Sequence, residues 1–330
     1  MNRGDGAYDA IVVGAGHNGL VCGAYLARAG LKTLILERRE VVGGAVETSE
    51  LAAGVRAPTV AHSIGRLRRS VIRDLRLQQH GLAFLRPDVR VFAPQPDGRA
   101  VTLWADPGRT GHELREWSPH DGNGYIEFDR KVDVLGSFLS HLAETTPPDL
   151  RSPAFGDALA GLKLLRAYRR LGKTTSREVL RVLPMAVADF VSEAFETDSV
   201  RAAVAARGVQ LTAMGPRSPG TAAVLLTDSS AGGGAAGALT LARGGPGALA
   251  AALASAARSF GATVREGSEV KRVVTTDGRV TGVALDGGEV IEAPIVVAGA
   301  DPKHVLLRLL DPAILGPTLV WKAENLRLPG

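Results

Sequence analysis

Of 330 residues only one is cysteine, Cys22. A single thiol excludes an intrachain disulfide, a cysteine-built zinc site and a Cys-x-x-Cys redox pair. It points to a reducing compartment, most simply the cytoplasm. No run of eighteen apolar residues occurs, so no membrane-spanning helix is expected. The polar start, Met1 to Ala7, leads directly into a strand-like segment and predicts no signal or transit peptide. Aromatic residues make up 5% of the chain, and no recognised motif accompanies the positive charge, so no nucleic-acid partner is expected. The seven histidines show neither His-x-x-x-His nor His-x-His spacing, so no metal site is expected.

The remaining composition suits a globular protein of about two domains, or one domain with a large insertion. Hydrophobic residues at 45% and charged residues at 22% allow a sizeable core. Much of the net charge of +5 sits in Arg66–Arg73 and Lys163–Arg170, where basic and apolar residues mix at helical spacing. Such segments read either as solvated basic faces of packed helices or as peripheral contacts with an anionic membrane.

The chemistry begins at the N-terminus. Tyr8–Val13 is a short β-branched run, read as a buried parallel strand. It enters Gly14-Ala-Gly-His-Asn-Gly19 and then a helical stretch to Ala29, with Leu20, Ala24 and Ala27 on one face and Gly30 placed to end it. Lys32–Glu37 is a second strand. In this setting Gly14 permits the tight turn, Gly16 lets backbone amides approach a diphosphate, and Gly19 allows close helix–strand packing. The helix N-terminus adds positive partial charge where phosphates would lie. Glu37, 37 − 14 = 23 positions past the first glycine, is placed to accept the hydroxyls of an adenosine ribose. After it comes Arg38-Arg-Glu-Val-Val-Gly43-Gly44-Ala45, whose glycine pair offers a second close approach to a cofactor. That favours FAD over NAD, and an NAD-dependent dehydrogenase is the alternative.

From about Val46 to Leu239 the pattern changes to short segments such as Val89–Phe92 alternating with basic and Ala/Leu-rich helices. Gly232–Gly237, glycine and alanine alone, reads as a mobile loop. Nucleotide-domain features return with an alanine-rich helix over Pro246–Phe260 and a strand over Thr263–Glu266. Three short strands follow, Glu269–Thr275, Val280–Leu285 and Glu289–Ile291, separated by Asp277-Gly278 and Asp286-Gly287. These predict a β-meander. Pro294–Ala298 is a last buried strand, ending at Gly299-Ala-Asp-Pro302.

The fold expected is α/β, with a glutathione-reductase-like split FAD-binding domain of Rossmann type, a β-meander, and an inserted α+β substrate domain. Its parts are 1–65 and 241–305 for the FAD domain, 66–240 for the insertion, and 306–330 for the start of a further substrate segment.

The N-terminal stretch, Glu37–Ala45, Ser70–Leu82, Ser118-Pro-His-Asp121, Gly215–Thr221, Arg243–Ala248 and Ala300-Asp-Pro302 together resemble the phytoene dehydrogenase-related FAD oxidoreductases. Within them the chain is most similar to the subgroup of pyridine nucleotide-disulfide oxidoreductase domain-containing proteins and its bacterial relatives. The resemblance implies that Gly14, Ala15, Gly16, Gly19, Glu37, Arg38, Gly44, Ala45 and Val270 hold FAD. Ala15 and Gly16 would face the diphosphate, Glu37 the ribose, Gly44 and Ala45 the ribityl side, and the Val270 backbone the adenine. Ala45 stands where many such proteins carry arginine. The activity implied is hydride transfer from a C–H bond of an apolar, carotenoid- or lipid-like substrate to flavin. Despite the subgroup's title, lone Cys22 cannot support dithiol–disulfide exchange. The family extends beyond the point matching Gly330, which implies a C-terminal truncation and leaves a non-catalytic nucleotide-binding protein as the alternative.

No catalytic side chain is nominated, because flavin hydride transfer depends on placing the substrate carbon in a dry pocket. Arg243 and His17 are possible cofactor contacts, each equally readable as a surface residue. Ala61-His-Ser-Ile-Gly65 is one residue short of a nucleophile elbow and lacks a convincing preceding strand.

Overall fold

The computed structural model describes residues 7–147, 149 and 155–327, so the reading of Met1 to Ala7 falls almost wholly outside the described residues. The chain divides into two compact units, one formed by Met1–Leu85 with Leu241–Leu328 and the other by Arg86–Thr240.

In the first unit, β1 (Ala10–Val13) leads through α1 (His17–Arg28) to β2 (Thr33–Leu36). After residue 241 come α2 (Gly247–Ser259) and β3 (Thr263–Arg265). The meander follows as β4 (Val270–Thr276), β5 (Arg279–Leu285) and β6 (Val290–Glu292), and then β7 (Ile295–Ala298). The four strands β7-β1-β2-β3 form one parallel sheet, with Ala10 opposite both Thr33 and Ile295. Every residue of β1 and β2 is buried, because successive side chains serve opposite faces. Val12 and Ile35 pack with α1 and α2, while Ile11, Val13, Leu34 and Leu36 pack with Val270, Val273, Val283 and Leu285 of the meander. A parallel sheet covered on both faces reads in sequence as a continuous apolar run, as here.

Turn chemistry sets the boundaries. Gly30 has φ +89°, and its amide and that of Leu31 bond back to Ala27 and Leu26, ending α1 with a left-handed glycine cap. Asp277 and Gly278 both take positive φ and join β4 to β5. At the second turn the left-handed residue is Gly288 rather than Gly287, one position past the Asp-Gly pair. The unit also continues past 65 to Leu85, since Leu75, Leu77 and Leu82 are buried in the core that holds Leu20 and Ala24.

The second unit sets a hairpin, Val89–Pro94 with Ala100–Trp104, among helices of which Pro119–Glu144 is the longest. Phe128 lies between Phe190 and Phe195, with ring centroids 5.0 and 4.9 Å away. The Ser118-Pro-His-Asp121 motif is a helix cap. Ser118 Oγ accepts the amides of His120 and Asp121, and Pro119 occupies the first turn. Asp121 in turn accepts the amides of Glu196 (2.7 Å) and Thr197 (3.0 Å).

One expectation fails in this unit. Gly232–Gly237 is no mobile loop: Gly234–Ala236 form a buried 3-10 turn. Asp129 accepts the Ala235 amide at 2.7 Å, and buried Arg207 donates to the Ala235 carbonyl at 2.6 Å while pairing with Asp228. Glycine is required there, since a Cβ on Gly237 would meet the Arg207 guanidinium at 2.2 Å. Replacing Arg207 by alanine removes that donor from the Asp228 carboxylate and from the Gly234 and Ala235 carbonyls. We expect a loss of about 3 kcal/mol in urea unfolding, with faster proteolysis at 232–237. Wild-type stability for Arg207→Ala would show that the turn is held by other contacts.

Candidate functional site

A ligand crevice is expected where strand order reverses, outside the carboxyl ends of the strands. In this sheet that point lies at β1, whose neighbours β2 and β7 run out on opposite sides. A cavity of about 480 Å³ opens there, within the size range of small-molecule and cofactor sites.

Gly14 leaves β1 with φ +97°, a conformation suited to glycine. Gly16 caps α1 with extended backbone and no side-chain oxygen, and the first turn of α1 carries no acidic residue. The positive end of that helix is therefore not neutralised by its own side chains. A Cβ on Gly16 would meet nothing within 4 Å, so the space above this backbone is open. At Gly19 the situation is opposite, because a Cβ would lie 2.0 Å from the Gly14 carbonyl oxygen. Gly19 shapes the site by letting α1 lie on β1, and does not line it.

Glu37 follows β2 and is buried, yet it lines the cavity. Its Oε2 accepts the Ala15 amide at 2.8 Å and its Oε1 the Arg39 amide at 3.1 Å. The carboxylate is thus fixed by two backbone donors, with lone pairs remaining for further donors. Ala15 is fully buried, so Gly16 and not Ala15 faces the cavity.

Gly14, Gly16, Glu37, Arg38, Gly44 and Val270 border this one cavity, whereas Ala15, Gly19 and Ala45 do not. Gly44 has φ +57°, and a Cβ there would come 3.2 Å from Gly16 Cα, so the two glycine segments touch backbone to backbone. Gly43 donates its amide to Ala15 at 2.9 Å and pairs with Gly16 in an isolated parallel bridge. Sequence reasoning missed Arg39, Ser268, Glu269 and the rim from Gly299 to Asp301. The signal for the rim was Ala300-Asp-Pro302, noted only as a motif. Asp301 accepts the His304 amide at 3.0 Å and caps a short turn at the cavity edge.

The remaining singled-out residues lie apart from this chemistry. Burial pushes the His17 imidazole below its usual pKa and the Cys22 thiol above its own. His17 is therefore neutral and Cys22 protonated near pH 7. Arg243 is exposed beside the turn into α2. The Gly-rich motif there serves packing: Gly247 donates to Thr48 Oγ1 at 2.9 Å, and a Cβ on Gly245 would strike that hydroxyl at 2.5 Å. Ala61–Gly65 is followed by turn rather than by the helix a nucleophile elbow needs. The second unit does bring His120, Asp121 and Glu196 ligand atoms within 4.8 Å of one another. Burial alone would raise the Asp121 pKa, but the amides of Glu196 and Thr197 hold it below the usual range. That is the signature of a structural cap.

Among the described residues, no helix is long and apolar enough to cross a membrane. The chain matches the family described as flavin containing amine oxidoreductase over residues 19–330. It is 31% identical to pyridine nucleotide-disulfide oxidoreductase domain-containing protein 2 of Rattus norvegicus, over 97% of this chain and 58% of that protein. It is 29% identical to a zeta-carotene-forming phytoene desaturase of Myxococcus xanthus, over 96% of this chain and 57% of the relative. The chain thus spans somewhat more than half the length of these relatives. Among solved structures, cyclohexylamine oxidase from Brevibacterium oxydans shares the fold, with a TM-score of 0.53 at 16% identity over 96% of this chain and 63% of that one. With a family match over almost its whole length, the chain belongs to the flavin containing amine oxidoreductase family, and its cofactor is FAD.

Proposed function

We propose that the cavity at the end of β1 binds the adenosine and diphosphate half of FAD, in a protein that oxidises an apolar substrate by removing hydride from a C–H bond. The carrying observation is the convergence of open Gly16, fixed Glu37, Gly44 and Val270 on one cavity at the topological switch point. Amides of the first turn of α1 would meet the diphosphate, helped by the helix dipole. Glu37 would accept the two ribose hydroxyls, and Arg38, exposed at the rim, would supply the cation that Ala45 does not. The Val270 backbone edge would pair with adenine, while Gly44 and Ala45 would border the ribityl chain. When bound, the flavin supplies a two-electron hydride acceptor.

The finer architecture proposed is the glutathione-reductase-like split layout, with Met1–Leu85 and Leu241–Leu328 as the two parts of the FAD domain. Residues 86–240 would form the inserted substrate domain. An apolar substrate fits the relative that is named a phytoene desaturase. The alternative reading is nucleotide binding without turnover. Reduction of bound flavin by any apolar substrate would exclude it for this chain.

The glycines separate binding from folding. Gly16→Val projects into open space, so we expect loss of FAD binding in a fluorescence titration with an unchanged melting temperature. Gly19→Ala should instead destabilise the unit by about 1–3 kcal/mol, because helix and strand must part. Equal FAD affinity for Gly16→Val and the wild type would place the cofactor elsewhere.

Glu37→Ala should weaken FAD by about 1–3 kcal/mol through the lost ribose hydrogen bonds. ADP, which carries the same ribose and diphosphate, should compete with FAD in the wild type and lose a similar factor in the variant. Undiminished ADP competition in Glu37→Ala would remove the carboxylate from the ribose site.

A further inference from the structure

Two parts of the cradle are tied through one residue. Arg39, two positions after Glu37, gives its backbone amide to the Glu37 carboxylate and accepts the Gly267 amide on its carbonyl at 3.0 Å. Its guanidinium reaches across the glycine turn to Glu47 in a two-pronged ion pair, with Nη2 at 2.8 Å from Oε1 and Nη1 on Oε2. Glu47 is buried, and Ser49 Oγ donates to it at 2.6 Å. The Glu47 amide bonds to the Gly44 carbonyl at 3.2 Å, closing the short turn that the glycine pair begins.

This arrangement answers a specific problem. Gly43 and Gly44, at φ +130° and +57°, sit in conformations that glycine reaches freely and leaves as freely. A single backbone hydrogen bond, from the Gly43 amide to the Ala15 carbonyl, ties them to the Gly16 segment, and the close backbone approach depends on that contact. A forked arginine–carboxylate pair spanning residues 39 to 47 closes the loop at its two ends and fixes its geometry in two directions.

We propose that Arg39 and Glu47 are positioning residues, a brace that holds the Gly43–Gly44 turn onto Gly16 for diphosphate binding, with neither side chain contacting the nucleotide. This rests on the FAD reading of the cavity. The rival role is direct contact, since Arg39 also borders the cavity. The two roles differ in sign at Glu47. Removing Glu47 loosens a brace, but it frees an arginine that would otherwise bind phosphate.

The test compares wild type, Arg39→Ala, Glu47→Ala, the double variant, Arg39→Lys and the exchanged pair Arg39→Glu/Glu47→Arg. FAD affinity is measured by fluorescence titration, and amide hydrogen exchange over residues 40–48 is measured without nucleotide. We expect each alanine variant to weaken FAD about tenfold, a loss of the size a charge-assisted pair provides. Exchange at Gly43 and Gly44 should quicken, and the double variant should be no worse than either single one. Arg39→Lys, which keeps charge without the fork, should fall between, and the exchanged pair should recover most of the affinity. Tighter FAD binding by Glu47→Ala would overturn the proposal in favour of direct contact. Unchanged exchange in both single variants would overturn it outright. Should the wild type itself take no FAD, the reading of the cavity fails, while the exchange rates still decide whether the pair fixes the turn.

Discussion

The unit that carries the site depends on how closely α1 lies on the end of β1. Three glycines without side chains at the contact make this possible. A Cβ on Gly19 would collide with the Gly14 carbonyl, and one on Gly23 would come 2.4 Å from Ile35 Cδ1. A Cβ on Gly299, just past β7, would come 3.3 Å from Gly19 Cα. Helix, β1 and the exit of β7 therefore share one crowded point. Packing at this density leaves the helix no freedom to slide, so its N-terminus stays over the crevice.

The polar features follow from that placement. With α1 seated, the loop between β1 and α1 runs beside the end of β2, where the Ala15 amide meets Glu37. A buried carboxylate without donors would be costly. Here two amides hold it before any ligand arrives, and the same contacts aim it at the cavity. The β2 exit is secured in turn, since Glu37 gives its amide to the Arg265 carbonyl at 2.9 Å and accepts Ser268's amide at 2.7 Å. Those bonds bring the β3–β4 connection, and Val270 with it, to the cavity wall. Residues more than 200 positions apart in sequence meet because one strand end anchors both.

What could be read beforehand divides along the same line. The β1–α1–β2 unit was legible because its signals are local: an apolar run, a glycine spacing, a helix-ending glycine and an acid at the right distance. The meander was legible from its two Asp-Gly turns, although Gly288 and not Gly287 takes the left-handed position. Gly232–Gly237 was misread because its order comes from Asp129 and Arg207, partners remote in sequence, while alanine and glycine carry no periodicity of their own. Arg39 was passed over for a related reason. Its importance lies in meeting Glu47 across a glycine turn, and an arginine beside another arginine carries no mark of that.

The motifs that mark the family outside the nucleotide loop prove to be largely architectural. Ser118-Pro-His-Asp121 starts a helix and ties it to the amides of Glu196 and Thr197. In Gly215–Thr221, the Thr221 hydroxyl accepts the Val187 amide at 2.8 Å, and left-handed Gly220 precedes a helix. Arg243–Ala248 brings the start of α2 against Thr48 through two glycines. In each a side-chain oxygen accepts a backbone amide that repeating secondary structure leaves unpaired, and such groups are expensive to leave unpaired in an interior. A chain can therefore carry these motifs because they build the scaffold, whatever substrate it handles. For this reason the family can be identified from motifs spread over the whole sequence, while Gly16, Glu37 and Gly44 meet at one cavity at the end of β1.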